Sequence, residues 1–126
     1  MSWRSLIYSR LTAFPALTAL TSTRVYAMIL PQNPTYPAIV YHVIDDEEHW
    51  HAWGRTRVQV NCYATSYAGA LAVRDAVRDA LDQWGAADAA VRVEDCETNG
   101  PGFEDHDPDT GIYCVGTDAI LVYVRK

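Results

Sequence analysis

No apolar run in the 126-residue chain approaches the roughly 18 residues that a membrane-crossing helix needs. The longest candidate, Leu11–Leu20, is broken by Pro15 and by threonines. With Arg4 and Arg10 before it and Val25-Tyr26-Ala27 after it, the stretch has the outline of a secretory signal, but these breaks weaken the apolar centre such a signal requires. The expectation is a soluble chain with no membrane partner. Cysteine is scarce: Cys62, Cys96 and Cys114 stand far apart, with no CxxC pair and no closed disulfide framework. That fits a reducing compartment, with thiols packed as small apolar groups. Basic residues are few, 10 Lys and Arg against 16 Asp and Glu, for a net charge of −6. A broad phosphate-gripping face needs clustered cations and is excluded; a wall past which DNA slides without sticking is not. P-loop, GxGxxG, GxSxG and HExxH patterns are all missing, so no catalytic residue, cofactor or metal is assigned.

What is present suffices for one core. At this length about two-thirds of the unfolded surface is buried on folding, and 49% of the residues are hydrophobic. Residues Trp3–Thr21 read as helical: Leu6, Ile7, Arg10 and Leu11 follow i, i+3, i+4 spacing, Ser2 is placed to cap the start, and Pro15 divides the segment in two. Arg24–Ile29 has strand character. Pro31, Pro34 and Pro37 then recur at every third residue, which predicts an extended, semi-rigid crossing.

Ala38–Ile44 is predicted as a strand covered on both faces. Arg55–Tyr63 follows as a strand with Val58, Val60 and Cys62 inward and Arg57, Gln59, Asn61 and Tyr63 outward. Together they make a hairpin whose long tip spans residues 45–54. A helix capped by Thr65 or Ser66 is predicted to run to about Trp84 and stop at Gly85. Its apolar stripe is Tyr67, Ala70, Leu71, Val73, Val77, Ala80, Leu81 and Trp84, with Arg78 and Asp82 as an i, i+4 pair. Ala90–Glu94 and Ile112–Val124 complete the strands, with a turn-rich loop, Thr98–Gly111, between them. The predicted class is α+β in a single domain over residues 1–126. It consists of an antiparallel sheet with a long hairpin, one main amphipathic helix across it and a short N-terminal helical segment.

Three constellations bear on chemistry. Asp105-His-Asp-Pro-Asp-Thr-Gly111 opens like a calcium loop, but Thr110 and Gly116 occupy the positions that need glycine and a bidentate glutamate, leaving a solvated acidic turn. His49 and His51, joined by Glu47, are zinc-ligand types on one side of an extended hairpin. No further partner supports a metal there, and His42 and His106 are isolated. Trp50 and Trp53 lie beside four consecutive acids, Asp45, Asp46, Glu47 and Glu48. Rings of that size at a hairpin tip either fold back, against Trp84 or Trp3, or meet another subunit.

The pattern as a whole resembles the tail-completion, or tail-terminator, proteins of tailed bacteriophages. The resemblance is carried by Arg24-Val-Tyr26, the proline-spaced crossing and Tyr36-Pro-Ala-Ile-Val-Tyr41. It continues through Gly54-Arg-Thr-Arg-Val-Gln-Val-Asn-Cys-Tyr-Ala64, Ser66-Tyr-Ala-Gly-Ala-Leu71, Arg74-Asp-Ala-Val-Arg-Asp-Ala-Leu81 and the closing strand. It implies a structural virion protein and not an enzyme. Such proteins form a ring, usually of six copies, on the head-proximal end of the tail tube, where the ring ends tube growth and docks onto the head-side connector or stopper. DNA passes through the ring without sequence-specific binding, and gene transfer agents use a similar part. Assembly in the host bacterial cytoplasm and residence in the virion neck follow. On this reading Trp50, Trp53, Arg55, Arg57, Arg74 and Arg78 are candidate subunit contacts, with intrachain pairing to Asp75, Asp79 or Asp82 as the alternative for the arginines. Asp45, Asp46, Glu47, Glu48, Glu104, Asp105, Asp107 and Asp109 are candidate channel-facing acids. A head-side stopper or adaptor is the nearer alternative, and a small metal-binding or hydrolytic domain the further one.

Overall fold

The computed structural model describes residues 3–49, 52–98 and 102–126. The expectations for Ser2, Trp50 and His51 lie outside the described residues. Ten elements follow in order: α1 (Trp3–Ala13), α2 (Pro15–Thr21), β1 (Val25–Ala27), β2 (Ala38–His49), β3 (Trp53–Ala64), α3 (Tyr67–Leu81), β4 (Ala86–Ala87), β5 (Val91–Glu97), β6 (Gly102–His106) and β7 (Tyr113–Arg125). The class is α+β, as the periodicities predict.

The N-terminal segment breaks where its proline requires it. Pro15 opens α2, where its missing N–H costs nothing, and α1 ends at Ala13. Trp3, Ile7 and Leu11, four residues apart, are the buried stripe of α1. Arg10 ties that helix down by donating Nε–H to the Ala80 carbonyl at 2.7 Å. Ser66 caps α3, its hydroxyl accepting the Gly69 N–H at 3.0 Å, a bond worth about 1 kcal/mol. Ala70, Val73, Ala76, Val77, Ala80 and Leu81 form its buried face.

Two readings of α3 are corrected. It ends at Leu81, because Gln83 takes the left-handed conformation (φ 58°) and donates its N–H to the Cys96 carbonyl at 2.7 Å. That tertiary bond turns the chain toward β5 before Gly85 is reached. Tyr67 is exposed and not part of the apolar stripe; its ring tilts on Tyr113 and its hydroxyl donates to Glu104 Oε1 at 2.7 Å.

The seven strands lie in the order β1-β2-β3-β7-β5-β4, with β6 on the remaining length of β7. All pairs are antiparallel except β1 with β2, since the crossing over residues 28–37 carries the chain back to the end of the sheet at which β1 began. Ile39, Val58, Val60, Cys62, Ala119, Leu121 and Tyr123 make the core face and are buried with α1, α2 and α3. Among the described residues no helix packs on the opposite face.

The hairpin differs from its sequence reading. β2 and β3 stay paired through the acidic run as far as His49 and Trp53, so the tip is short and the acids belong to a strand. The cause is local. A register shift between Val43 and Asp45 turns Asp46 and Glu48 toward the core face, where both accept from the Tyr123 hydroxyl at 3.1 and 3.4 Å. Asp45 and Glu47 are left opposite Arg57 and Arg55. The stretch read as a loop, Thr98–Gly111, also contains a strand, β6, all of whose residues are exposed.

Candidate functional site

Strand alternation sorts the helix-free face into columns. Near the hairpin tip β2 contributes His49, Glu47 and Asp45; β3 contributes Trp53, Arg55 and Arg57; β7 contributes Val124, Val122 and Ile120; β5 contributes Arg92, Asp95 and Glu97. An apolar ridge therefore runs between a cationic column and a mostly acidic one. Trp53 stays 43% exposed and does not fold back on Trp3 or Trp84; its ring stacks on His49 with centroids 4.0 Å apart.

The candidate residues separate once their partners are known. Arg57 donates Nε–H and Nη2–H to Asp118 Oδ2 at 2.8 and 2.5 Å, and Asp118 is only 2% exposed. Arg74 pairs with Asp75 at 3.1 Å. Arg78 makes no pair with Asp82 among the described residues; its Nε–H goes to Thr117 Oγ1 at 3.2 Å. These three are engaged within the chain. Arg55 is exposed at the tip.

Among the acids, Asp46 meets Arg4 at 3.8 Å, Glu48 is bridged to Arg125, and Glu47 Oε1 bonds His49 Nε2 at 2.9 Å. Glu104, Asp105, Asp107 and Asp109 are exposed on and after β6, and none forms an ion pair among the described residues. Backbone N–H bonds, chiefly from Asp109, hold the Asp107 carboxyl below the usual range.

Further down the same face, a groove of about 360 Å³ opens between the crossing and the β6–β7 turn. Tyr63 and Cys114 lie along it, with Leu30 and Tyr36 on one side and Phe103, Asp105 and Asp107 on the other. The Phe103 ring lies over Gly116, close enough to fill the place of a β-carbon. Sequence reasoning missed this groove, because its walls come from the crossing, β3, β6 and β7, and only the β3–β7–β6 register brings them together.

The thiols offer no reactive group. Burial pushes Cys96 up to about 12 and Cys114 to about 11, and raises Cys62 further still. Because the folded values lie above the unfolded one of about 8.5, the folded state favours the protonated thiols. Their contribution to stability is therefore full below that value and declines as the pH rises above it. At pH 8 all three are expected to resist maleimide labelling in the folded protein and to label fully in denaturant, which mass spectrometry distinguishes.

Among the described residues no three His, Cys, Asp or Glu side chains gather to hold a metal ion, and no helix is long and apolar enough to cross a membrane. On the helix-free face, charges stand in columns near the hairpin tip beside the exposed Trp53, while Val40, Asn61, Cys114 and Asp118 of the same face are buried further along.

A family model described as tail completion protein gp17 matches residues 5–118. Among solved structures, a chain from the virion of a native gene transfer agent particle superposes with a TM-score of 0.73 at 19% identity, covering 95% of this chain and 92% of that one. No curated protein matches.

Proposed function

The chain belongs to the tail completion protein gp17 family, and on that premise we propose that this structural phage-tail protein terminates the tail tube. Six copies form a ring on the head-proximal end, stop tube polymerisation and present the surface that receives the head-side connector or stopper. The protein's partners are its own copies, the tail tube protein and that connector. DNA passes through the ring without being read. Assembly takes place in the host bacterial cytoplasm and the product resides in the virion neck. The observation that carries this reading is the family match across nearly the whole chain, supported by a fold shared with a chain of a gene transfer agent virion.

On this reading the residues divide the work. Trp53 and Arg55, both exposed near the hairpin tip, form the contact with a neighbouring subunit or the tube, and Trp50 is assigned to the same contact from its sequence position alone. Asp45 and Glu47, on the helix-free face, give the channel wall its acidity. A net charge of −6 per chain keeps such a wall from retaining DNA.

Cryo-electron microscopy of the neck, together with deletion of the gene, tests the proposal. A six-fold ring of this chain capping the tube, and overlong headless tails in its absence, are expected. Normal tails with no neck density for the chain would sink it. In the same system Trp50→Ala with Trp53→Ala is expected to weaken capping while leaving the thermal transition of the free protein in place. Loss of that transition would assign the rings to the core.

A further inference from the structure

Among the described residues three strands are each bonded along one side only, β1 at one lateral edge of the sheet and β4 and β6 at the other; β4 has two residues, which leaves β1 and β6 as the longer edges. In one row Tyr26 pairs with Val40, Val40 with Asn61, Asn61 with Gly116, and Gly116 with Phe103. β1 and β6 therefore stand level at opposite edges, four strand spacings or about 19 Å apart. They also run in opposite directions, since β1 is parallel to β2 while β3, β7 and β6 each reverse the one before. A neighbour placed beside the sheet in the same orientation thus sets its β1 antiparallel to this β6.

The side chains at the two edges match. Glu104 and Asp105 on β6, with Asp107 and Asp109 after it, have no ion-pair partner among the described residues. Arg24, at the start of β1, donates Nε–H to the Pro37 carbonyl at 2.9 Å and Nη2–H to the Leu20 carbonyl at 3.2 Å. No carboxylate pairs with it among the described residues. The other open stretch on that side, β2 from His42 to His49, carries four acids and would repel β6.

The two most exposed large apolar side chains among the described residues stand at the β1 edge, and another stands on β6. Met28 and Ile29, directly after β1, are 74% and 77% exposed, and Phe103 on β6 is 37% exposed. Met28 holds a left-handed backbone (φ 72°), fixed by its N–H bond to the Tyr41 carbonyl at 2.9 Å. Such a conformation is uncommon for a side chain of this size, and here it projects two large apolar groups from a rigid turn.

We infer that β1, with Met28 and Ile29, pairs antiparallel with β6 of the next copy, so that the ring closes head to tail through repeats of this one join. The inference rests on the ring reading above and adds the strands that make it. Each join is short, so it is weak in isolation and gains its strength when the ring closes on a tube end.

Cysteine pairing in assembled particles tests it. Tyr26→Cys combined with Phe103→Cys joins the two residues that stand level, and Ala27→Cys combined with Glu104→Cys covers the register two residues along; Tyr26 is half-buried, the other three positions are exposed and the native thiols are buried. Mild oxidation is expected to give a covalent ladder reaching the full ring, with no ladder from single variants. His42→Cys with Glu104→Cys is the control and should stay monomeric. Hydrogen exchange on unsubstituted protein supplies the second measurement: amides of 25–29 and 102–106 gain protection on assembly, while those of 42–49 do not. A ring seen in the neck without the 26–103 or 27–104 ladder and without that protection overturns this join and leaves the terminator reading standing. Absence of any ring overturns both.

Discussion

Replacing Arg57 by methionine is expected to destabilise the folded protein by about 3 kcal/mol. Asp118 is 2% exposed, and among the described residues both hydrogen bonds to its Oδ2 come from Arg57. Removing one partner of a buried pair leaves the other charge uncompensated, which typically costs about 3–5 kcal/mol. The lower end applies because the guanidinium is 42% exposed and partly screened by water. The same exposure makes the pair asymmetric. Asp118→Asn strands no buried charge, since Arg57 can turn its head into solvent, and about 1 kcal/mol is expected. Methionine retains the apolar stem of Arg57 beside Ile120, so the comparison isolates the charge. Urea denaturation of both single variants and the double variant checks this. The double variant should be more stable than Arg57→Met alone; if it is less stable, the buried carboxylate is not what the arginine compensates.

Gly54→Ala is expected to cost about 1–3 kcal/mol by overpacking. Gly54 lies opposite Tyr123 across the β3–β7 pair, and a methyl group there would overlap the Tyr123 ring and hydroxyl. That ring is buried against Trp3, and its hydroxyl is held by Asp46 and Glu48, so it has nowhere to move. Gly116→Ala is the informative contrast. Its methyl group would overlap Phe103, a side chain exposed enough to swing aside, and the loss should be smaller. Thermal melts of the two variants compare them directly, and equal losses would contradict this account of Tyr123 as the fixed element.

The parts of the fold legible in sequence are those where a residue's own chemistry decides the outcome. Pro15 divides the N-terminal helices, Ser66 caps α3, and the alternation through Val58, Val60 and Cys62 marks a strand with one buried face. The parts that were not legible depend on partners distant in the chain. The acids from Asp45 to Glu48 look like a loop until Arg4, Arg125 and Tyr123 arrive beside them. β6 has no buried side chain, so it gives no periodicity and becomes a strand only because β7 offers an unpaired edge. Gln83 replaces Gly85 as the turning residue through its bond to Cys96, a contact with no local trace.

The candidate surface follows the same division. Trp53 and Arg55 are candidate subunit contacts in the sequence, and both are exposed. Arg57, Arg74 and Arg78 have the same composition but are held by Asp118, Asp75 and Thr117. Charge type is visible in a sequence, whereas whether a charge is already matched is a property of the register.

β7 bonds along its whole length to β3 and divides its other side between β5 and β6. It is the middle of the sheet and also the last of the ten elements to be synthesised. The β2–β3 hairpin and α3 need only nearby residues and can organise early, but the sheet cannot close until β7 enters between strands already made. Non-local insertion of this kind is slow. During the wait the inner edge of β3, with Val58, Val60 and Cys62 beside it, is open to any other extended chain. Folding is thus the stage at which this protein is most exposed to wrong pairing, and each copy must complete its own sheet before it can lend an edge to another.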